Sequence, residues 1–310
     1  MLKLSIIIIN WNTKHLLFNC LNSIFNTLDG KTWFEVWVVD NASKDSSAEM
    51  VKKDFRQVNL IENKENVGFS RANNQVIPLT NGEYVLFLNS DTVVLSEAIE
   101  YMIAFLDSNP EAGICGANLL TEDFKPNMSY SYFPTIRSEI IREIRPLIFG
   151  KPPKRCVDSN LEEPFAVDYV LGAAMMIRRE TLNSVGLFDE DFFFYAEDVD
   201  LCLRARKKGW KIFCLPKAKI IHLFGKSSIK EHTRFELEFY KSRNKFFQKH
   251  YGNTYGFCWR LSLSLCKLWQ LIPVLLNCLT HLLKIKNNEI LTCQIKLLFN
   301  IYRFLLGLSH

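Results

Sequence analysis

Polar residues follow three apolar segments that are typical of buried strands. They are Asn10 and Asn12, then Asp40 and Asn41, and then Asn89, Ser90 and Asp91. Ordinary loop polarity would explain any one of these groups, but it explains all three together less readily. In open α/β sheets, ligands bind beyond the carboxyl ends of the strands. We therefore predict that these residues line one crevice.

Asp91 comes just after the apolar stretch YVLFL, where a carboxylate can hold a hard divalent cation that bridges phosphate oxygens. His222 ends the strand-like stretch AKIIH and is a candidate second ligand, although a lone histidine is more often structural. Asp40 is suited to hydrogen-bonding a base or a ribose. No G-x-G-x-x-G or Walker A loop follows the first strand, which disfavours a dinucleotide oxidoreductase or a P-loop enzyme.

Three carboxylates, Glu197, Asp198 and Asp200, follow the aromatic stretch FFFYA. Aromatic surroundings desolvate a carboxylate and raise its pKa towards that of a useful base. Alternatively, Asp198 could cap a helix and interact favourably with its dipole. We expect at least one catalytic carboxylate in this cluster.

The elements that must position these residues alternate between strand and helix over the first 107 residues. Such alternation predicts a mostly parallel α/β sheet. Residues 121–165 are predicted to be an irregular excursion and 169–178 a single strand. Around Pro216 we expect two short strands, Lys211–Leu215 and Ala218–His222.

The hydrophobic content and the charge distribution of the chain exclude some classes of protein. With 48% hydrophobic residues among 310, the chain cannot be mainly disordered. Residues 1–203 contain 18 basic and 29 acidic residues, a net charge of −11, whereas residues 204–310 contain 20 basic and 4 acidic residues, a net charge of +16. Such asymmetry suggests a basic face for nucleic acid, anionic lipid or a phosphorylated substrate. No nucleic-acid-binding motif accompanies it, so nucleic acid is not an expected partner.

The C-terminal part is rich in leucine. Its longest uncharged run, Leu268–Leu283, has 16 residues, fewer than the roughly 20 that a spanning helix needs. It predicts either an interfacial amphipathic helix or a helix packed on the catalytic domain. The nine cysteines have no C-x-x-C spacing, and the first apolar run is too short for a signal peptide, which together favour a cytoplasmic protein with reduced thiols.

The landmarks together resemble the family-2 glycosyltransferases, inverting nucleotide-sugar enzymes of GT-A fold, and within them the rhamnosyltransferase-like branch of bacterial surface polysaccharide synthesis, including O-antigen. The resemblance covers about residues 3–250. Its segments are SIIIINWN, VVDNASKDSS, NKENVGFSRANN, YVLFLNSDTVV, DYVLGAAMMIRRETLNSVGLFDEDFFFYAEDVDLCLRARKKGW and IIHLFGKSS.

The resemblance implies a role for each matching residue. Nucleotide-sugar contacts would come from Asn10, Asn12, Asp40, Asn41, Asn66, Gly68, Arg71, Asn73, Asn89 and Ser90. Acceptor-side residues would be Leu171, Gly172 and Ala173. Asp198 would be the catalytic base, with Glu197 beside it. Asp91 matches the last carboxylate of the D-x-D metal motif, whose first position is Asn89 here, and His222 would complete the coordination of Mg²⁺ or Mn²⁺.

The resemblance further implies a dTDP- or UDP-linked donor, with dTDP-rhamnose as the leading candidate, and a glycan acceptor, in particular a lipid-linked one. Residues 1–255 would form the catalytic domain, and residues 256–310 a basic, leucine-rich helical tail. The net charge of that C-terminal region favours a peripheral position on the anionic inner face of the cell membrane. The alternative is a non-catalytic, membrane-associated binding protein on a degenerate GT-A fold. The oligomeric state stays open.

Overall fold

The computed structural model describes residues 2–149, 156–158, 160–223 and 232–281. Its first elements alternate as predicted. They are β1 (Leu4–Asn10), α1 (Lys14–Thr27), β2 (Phe34–Asp40), α2 (Ser47–Asp54), β3 (Asn59–Glu62), α3 (Phe69–Val76) with a 3₁₀ turn (Ile77–Leu79), and β4 (Tyr84–Asn89). These four strands are parallel neighbours in the order β3-β2-β1-β4, which confirms the parallel sheet predicted for this half.

The second half is mixed. Its elements are β5 (Thr92–Val94), α4 (Ala98–Ser108), β6 (Ala112–Leu120), β7 (Tyr130–Ser131), α5 (Ile136–Phe149), β8 (Phe165–Ala166), β9 (Tyr169–Val170), β10 (Ala174–Arg178), α6 (Arg179–Val185), α7 (Glu197–Lys207) and β11 (Lys211–His222). The main sheet continues as β4-β10-β6-β11-β5, and β10 runs antiparallel to both of its neighbours.

Two sequence predictions about this half are wrong. The strand expected over 169–178 is interrupted at 171–173, so it forms β9 and β10 in different sheets. The two strands expected around Pro216 form the single strand β11, whose register against β6 shifts between Leu215 and Lys219. A proline lacks the N–H for a ladder bond, and the shift accommodates it while Asn118 Nδ2 donates to the Pro216 carbonyl at 3.1 Å. The segment 121–165, expected to be an excursion or flap, contains β7 and α5.

The sheet is held by buried apolar side chains on its strands and on the inward faces of its helices. On α1 the inward residues Leu17, Cys20, Leu21 and Ile24 recur at helical spacing and are buried. β6 is buried at every position, as expected for an inner strand covered on both faces.

The chain divides into two compact units. The first comprises residues 1–133 and 154–230, and the second comprises residues 134–153 and 231–310. The sheet lies in the first unit. The second contains α5, α8 (His232–Tyr251) and α9 (Asn253–His281). Its interior includes Trp259, Phe246 and Phe247. The predicted functional boundary after residue 255 stays a prediction. Among the described helices, none combines the length and the apolar character needed to cross a bilayer.

Candidate active site

The ends of β1, β2 and β4 lie side by side, because Asn10 is in register with Asp40 and Ile9 with Asn89. Asn10 Nδ2 donates to Asp40 Oδ2 at 2.9 Å. Thr13 Oγ1 donates to Asn10 Oδ1 at 2.6 Å and lies 2.9 Å from Ser90 Oγ. One hydrogen-bonded chain therefore joins all three strand ends, and Thr13, which sequence reasoning missed, is its central member.

Ser43 is a second residue that sequence reasoning missed. Its hydroxyl accepts from Asn10 Nδ2 at 3.1 Å and from the Asn12 backbone N–H at 2.8 Å. Its own N–H donates to Asp40 Oδ1 at 2.7 Å. The only sequence signal was its place in the turn after β2. These bonds tie the ends of β1 and β2 into one rigid wall, with Asn12 held in the left-handed region at φ 55°.

Asn41 extends this wall towards the loop before α3. Its side-chain nitrogen donates to the Gly68 carbonyl at 3.3 Å, and its oxygen accepts from Asn63 Nδ2 at 2.8 Å. Asn66 Oδ1 accepts the Gly68 N–H at 3.0 Å. Gly68 has φ +87°, and a Cβ there would lie 2.7 Å from the carbonyl oxygen of Phe193. Only glycine fits this close approach without displacing backbone.

The other two residues predicted on this segment differ in exposure. Arg71 is exposed and makes a 3.5 Å ion pair with the exposed Glu190. Asn73 is fully buried, and its side-chain nitrogen donates to the Phe69 carbonyl at 2.9 Å. Arg71 is therefore accessible to a ligand. Asn73 instead stabilises the first turn of α3 through its hydrogen bond to Phe69.

Asp91 and His222 meet at the edge of the sheet. The antiparallel pairing of β5 with β11 sets His222 opposite Thr92, and the Leu223 N–H donates to the Asp91 carbonyl at 3.0 Å. His222 Nε2 lies 3.2 Å from Asp91 Oδ1 and 3.5 Å from Asn89 Nδ2, and both Asp91 and His222 are buried.

This pair has the spacing that a divalent cation needs. Two adjacent ligands of an octahedral ion, each bound at about 2.1 Å, are separated by about 3 Å. Within the described ranges, no group of three or more His, Cys, Asp and Glu side chains converges in this way. Asp91 and His222 are therefore the residues that would hold such a cation.

The carboxylates at the start of α7 differ in their hydrogen-bond and ion-pair partners. Asp198 Oδ2 accepts the Gly172 backbone N–H at 3.0 Å, and its Oδ1 accepts the Val199 N–H at 2.8 Å. The cap residue of α7 is Ala196, so Asp198 is not the N-cap residue itself, but its bond to the Val199 N–H satisfies a first-turn donor of the helix, as the capping alternative expects in part. Tyr195 and Ala196 both have positive φ, 69° and 65°, a strained pair of the kind that clusters at functional sites.

Glu197 is buried, and its pKa is raised well above the ordinary value by burial and then by the neighbouring charge of Asp198. Asp200 is fully buried and pairs with Arg204 Nε at 2.8 Å. Arg204 also donates to the carbonyls of Val185 at 2.6 Å and Leu187 at 2.8 Å. Asp200 therefore holds α7 against the loop after α6, and it is not brought to the crevice.

The segment 171–173 links the two polar centres. The Asn89 N–H donates to the Ala173 carbonyl at 3.0 Å, while Gly172 binds Asp198. The Leu171 N–H donates to the Ser129 carbonyl at 3.2 Å. The Asn89–Ala173 bond extends the pairing of β4 with β10 by one residue, and the Leu171–Ser129 bond extends the pairing of β7 with β9. The chain therefore passes from one sheet to the other over 171–173, in a turn where the Ala174 N–H donates to the Leu171 carbonyl at 3.4 Å.

Comparisons with known proteins identify the family of the chain. The family model described as glycosyl transferase family 2 matches residues 5–186, which include the three strand ends and segment 171–173. The low-salt glycan biosynthesis hexosyltransferase Agl10 of Haloferax volcanii is 29% identical over 237 residues, 75% of this chain and 70% of that protein. The N-acetylglucosaminyl-diphospho-decaprenol L-rhamnosyltransferase of Mycobacterium tuberculosis is 26% identical over 201 residues, 60% of this chain and 66% of that protein.

Among solved structures, the mannosyltransferase PcManGT from Pyrobaculum calidifontis, in complex with GDP-Man and Mn²⁺, matches with a TM-score of 0.56 at 18% identity. The match covers 80% of this chain and 63% of that one, so this chain spans roughly two thirds of such relatives. The likeness confirms the predicted GT-A fold. Because the family model covers more than half of its residues, the chain belongs to glycosyl transferase family 2.

Proposed function

We propose that this chain is an inverting, metal-dependent glycosyltransferase that moves a sugar from a nucleotide-diphosphate donor to a hydroxyl group of a glycan. The observation that carries the proposal is the position of segment 171–173 between Asn89 and Asp198. An acceptor hydroxyl group bound beside this segment would have the Asp198 carboxylate on one side. Through Asn89, the same segment adjoins the Asp91–His222 pair.

Asp198 is the general base in this proposal. The Gly172 N–H holds its carboxylate in place, so little reorganisation is needed when it accepts the hydroxyl proton. Glu197 differs from Asp198 in its surroundings, because burial and then the neighbouring charge of Asp198 raise the pKa of Glu197 well above its ordinary value. A single base opposite the leaving group suits one in-line displacement through an oxocarbenium-like state, which inverts the anomeric centre.

Asp91 and His222 are the residues that would hold Mg²⁺ or Mn²⁺. When bound, such a cation offsets the charge that develops on the leaving diphosphate. Arg71 is free to add a second positive charge, because its ion pair with Glu190 is exposed at both ends and therefore weak. Arg204 does not serve here, since Asp200 and three backbone carbonyls occupy its guanidinium.

The donor and the acceptor are proposed from the relatives. The rhamnosyltransferase of Mycobacterium tuberculosis supports rhamnose as the sugar and a lipid-linked glycan as acceptor, and the dTDP-rhamnosyl transferase RfbF of Shigella flexneri supports dTDP-rhamnose as donor. The wall built from Asn10, Asp40 and Ser43 is the proposed nucleotide subsite, with Asn12, Asn41, Asn66 and Gly68 around it. In this proposal residues 1–255 are catalytic, and the basic residues after 256 face the anionic inner leaflet of the cell membrane.

A donor panel tests the proposal. The purified chain is assayed with dTDP-rhamnose, UDP-sugars and GDP-mannose, with Mg²⁺ or Mn²⁺, against a lipid-diphosphate glycan. We expect transfer from one donor class, abolished by chelator, with inverted configuration in the product by NMR. A product of retained configuration would refute the inverting mechanism. Absence of transfer by folded protein with every donor would favour the non-catalytic binding protein.

A further inference from the structure

Helix α9 carries an exposed apolar face in its described part. Five large side chains on it are between 42% and 60% exposed, and we call them the α9 stripe. They are Phe257, Leu261, Leu265, Leu268 and Trp269. Their spacing of four, four, three and one residues keeps them on one side of a helix. Contiguous exposed apolar side chains of this kind mark an interaction surface.

The opposite face of α9 determines its orientation. Trp259, Leu263 and Cys266 are buried. Lys267 Nζ lies 2.7 Å from Glu143 Oε2 of α5, with both side chains only 9% exposed. Rotating α9 to hide the stripe would break this buried ion pair and leave an uncompensated buried charge, which is strongly destabilising. The stripe is therefore held outward by the packing of the second unit.

The charges around the stripe select its partner. Residues 253–281 contain no Asp or Glu, and the second unit, residues 134–153 with 231–310, contains 15 basic and 6 acidic residues, a net charge of +9. On α8, the exposed residue Lys249 belongs to this excess. Two copies of the chain meeting through this region would bring the same positive charge together, which is unfavourable. An anionic lipid surface instead matches both the apolar stripe and the positive charge.

We propose that the α9 stripe inserts into the interfacial region of an anionic phospholipid bilayer, with α9 parallel to the membrane plane. Helices α5 and α8 cover its other face, so lipid reaches one side only. Trp269 suits this depth, because an indole ring is apolar with one polar N–H. This inference rests on the proposed function in one respect, namely that a lipid-linked acceptor would give the enzyme a reason to bind a membrane.

Vesicle flotation of the full chain tests the inference. The vesicles contain equal parts phosphatidylglycerol and phosphatidylcholine, with pure phosphatidylcholine for comparison. We expect the wild type to float with the anionic vesicles, and the double variant Leu261→Glu/Leu265→Glu to bind them at least about tenfold more weakly. Leu79→Glu is the matched control, since Leu79 is 49% exposed in the first unit, and it should float like the wild type.

Two further measurements separate the alternatives. Circular dichroism and thermal unfolding establish that the double variant is folded, and transfer to a water-soluble glycan acceptor should then be unchanged. Undiminished flotation of the folded double variant overturns the inference, and a change of mass in light scattering with flotation intact would point to a second copy as partner. Flotation is read without any sugar transfer, so failure of the proposed enzyme activity would leave this result interpretable.

Discussion

The Asp198 carboxylate accepts a hydrogen bond from the backbone N–H of Gly172 at 3.0 Å. This bond joins the start of α7 to the segment between β9 and β10, and the two bonded residues are 26 positions apart in the chain. Since Asn89 bonds to the next residue of that segment, the proposed base and the proposed metal ligands share one backbone support.

Asp198→Asn should therefore remove proton acceptance while keeping the hydrogen bond from Gly172. We expect turnover to fall by about 10²- to 10⁴-fold, the usual contribution of a general base, with donor affinity nearly unchanged. Steady-state kinetics and nucleotide titration measure the two effects separately. If turnover survives the change, another group is the base.

Asp91→Asn and His222→Ala test the cation site. Each removes one of the two protein ligands, so we expect the Mn²⁺ concentration for half-maximal binding in the presence of nucleotide diphosphate to rise by at least about tenfold. Mn²⁺ electron paramagnetic resonance measures the free ion directly. Lys52→Ala, an exposed change on α2, is the control and should leave metal affinity as it is. Equal Mn²⁺ affinity in all the proteins would remove Asp91 and His222 from the site.

Asp200→Ala should lower stability and test the structural role of this carboxylate. It strips the buried partner from Arg204, for which the expected cost is about 3 kcal/mol in the free energy of unfolding. Urea denaturation measures it. Glu162→Ala is the control, since its ion pair with Lys217 is exposed, and it should change the urea midpoint little. A stable Asp200→Ala protein without activity would return Asp200 to the catalytic group.

Glu197→Gln should change how stability depends on pH. The folded state raises the pKa of Glu197 above its ordinary 4.5, so the folded protein binds this proton more tightly than the unfolded chain does. Stability from this group is present below pH 4.5 and is lost as pH rises through the folded pKa. Gln stays neutral, so the variant should gain stability relative to the wild type as pH rises. Parallel pH profiles of the two urea midpoints would contradict this.

Gly68→Ala should destabilise the loop that precedes α3. Positive φ costs alanine about 1 to 2 kcal/mol, and the clash with Phe193 adds to it. Gly209→Ala isolates the first contribution, because Gly209 has φ +92° with no atom within 4 Å of its Cβ position. Thermal unfolding should rank Gly68→Ala below Gly209→Ala. The reverse order would mean that Phe193 moves aside freely.

The strands of the first half and the residues at their ends were predictable from sequence. β1, β2 and β4 are short apolar runs, and each stops where a polar side chain begins. Parallel strands bring their carboxyl ends to one edge by geometry, so Asn10, Asp40 and Asn89 had to be neighbours once the sheet was parallel.

The partners of the polar groups were decided only by the tertiary structure. Glu197, Asp198 and Asp200 look alike in sequence, yet one is buried with a raised pKa, one binds Gly172 and one binds Arg204. Burial and non-local contacts shift a pKa or occupy a carboxylate, and neither is encoded in local spacing. The passage of the chain from one sheet to the other at 171–173 likewise depends on pairing with β4 and β7 and on the bond from Gly172 to Asp198, which only the assembled structure brings within reach.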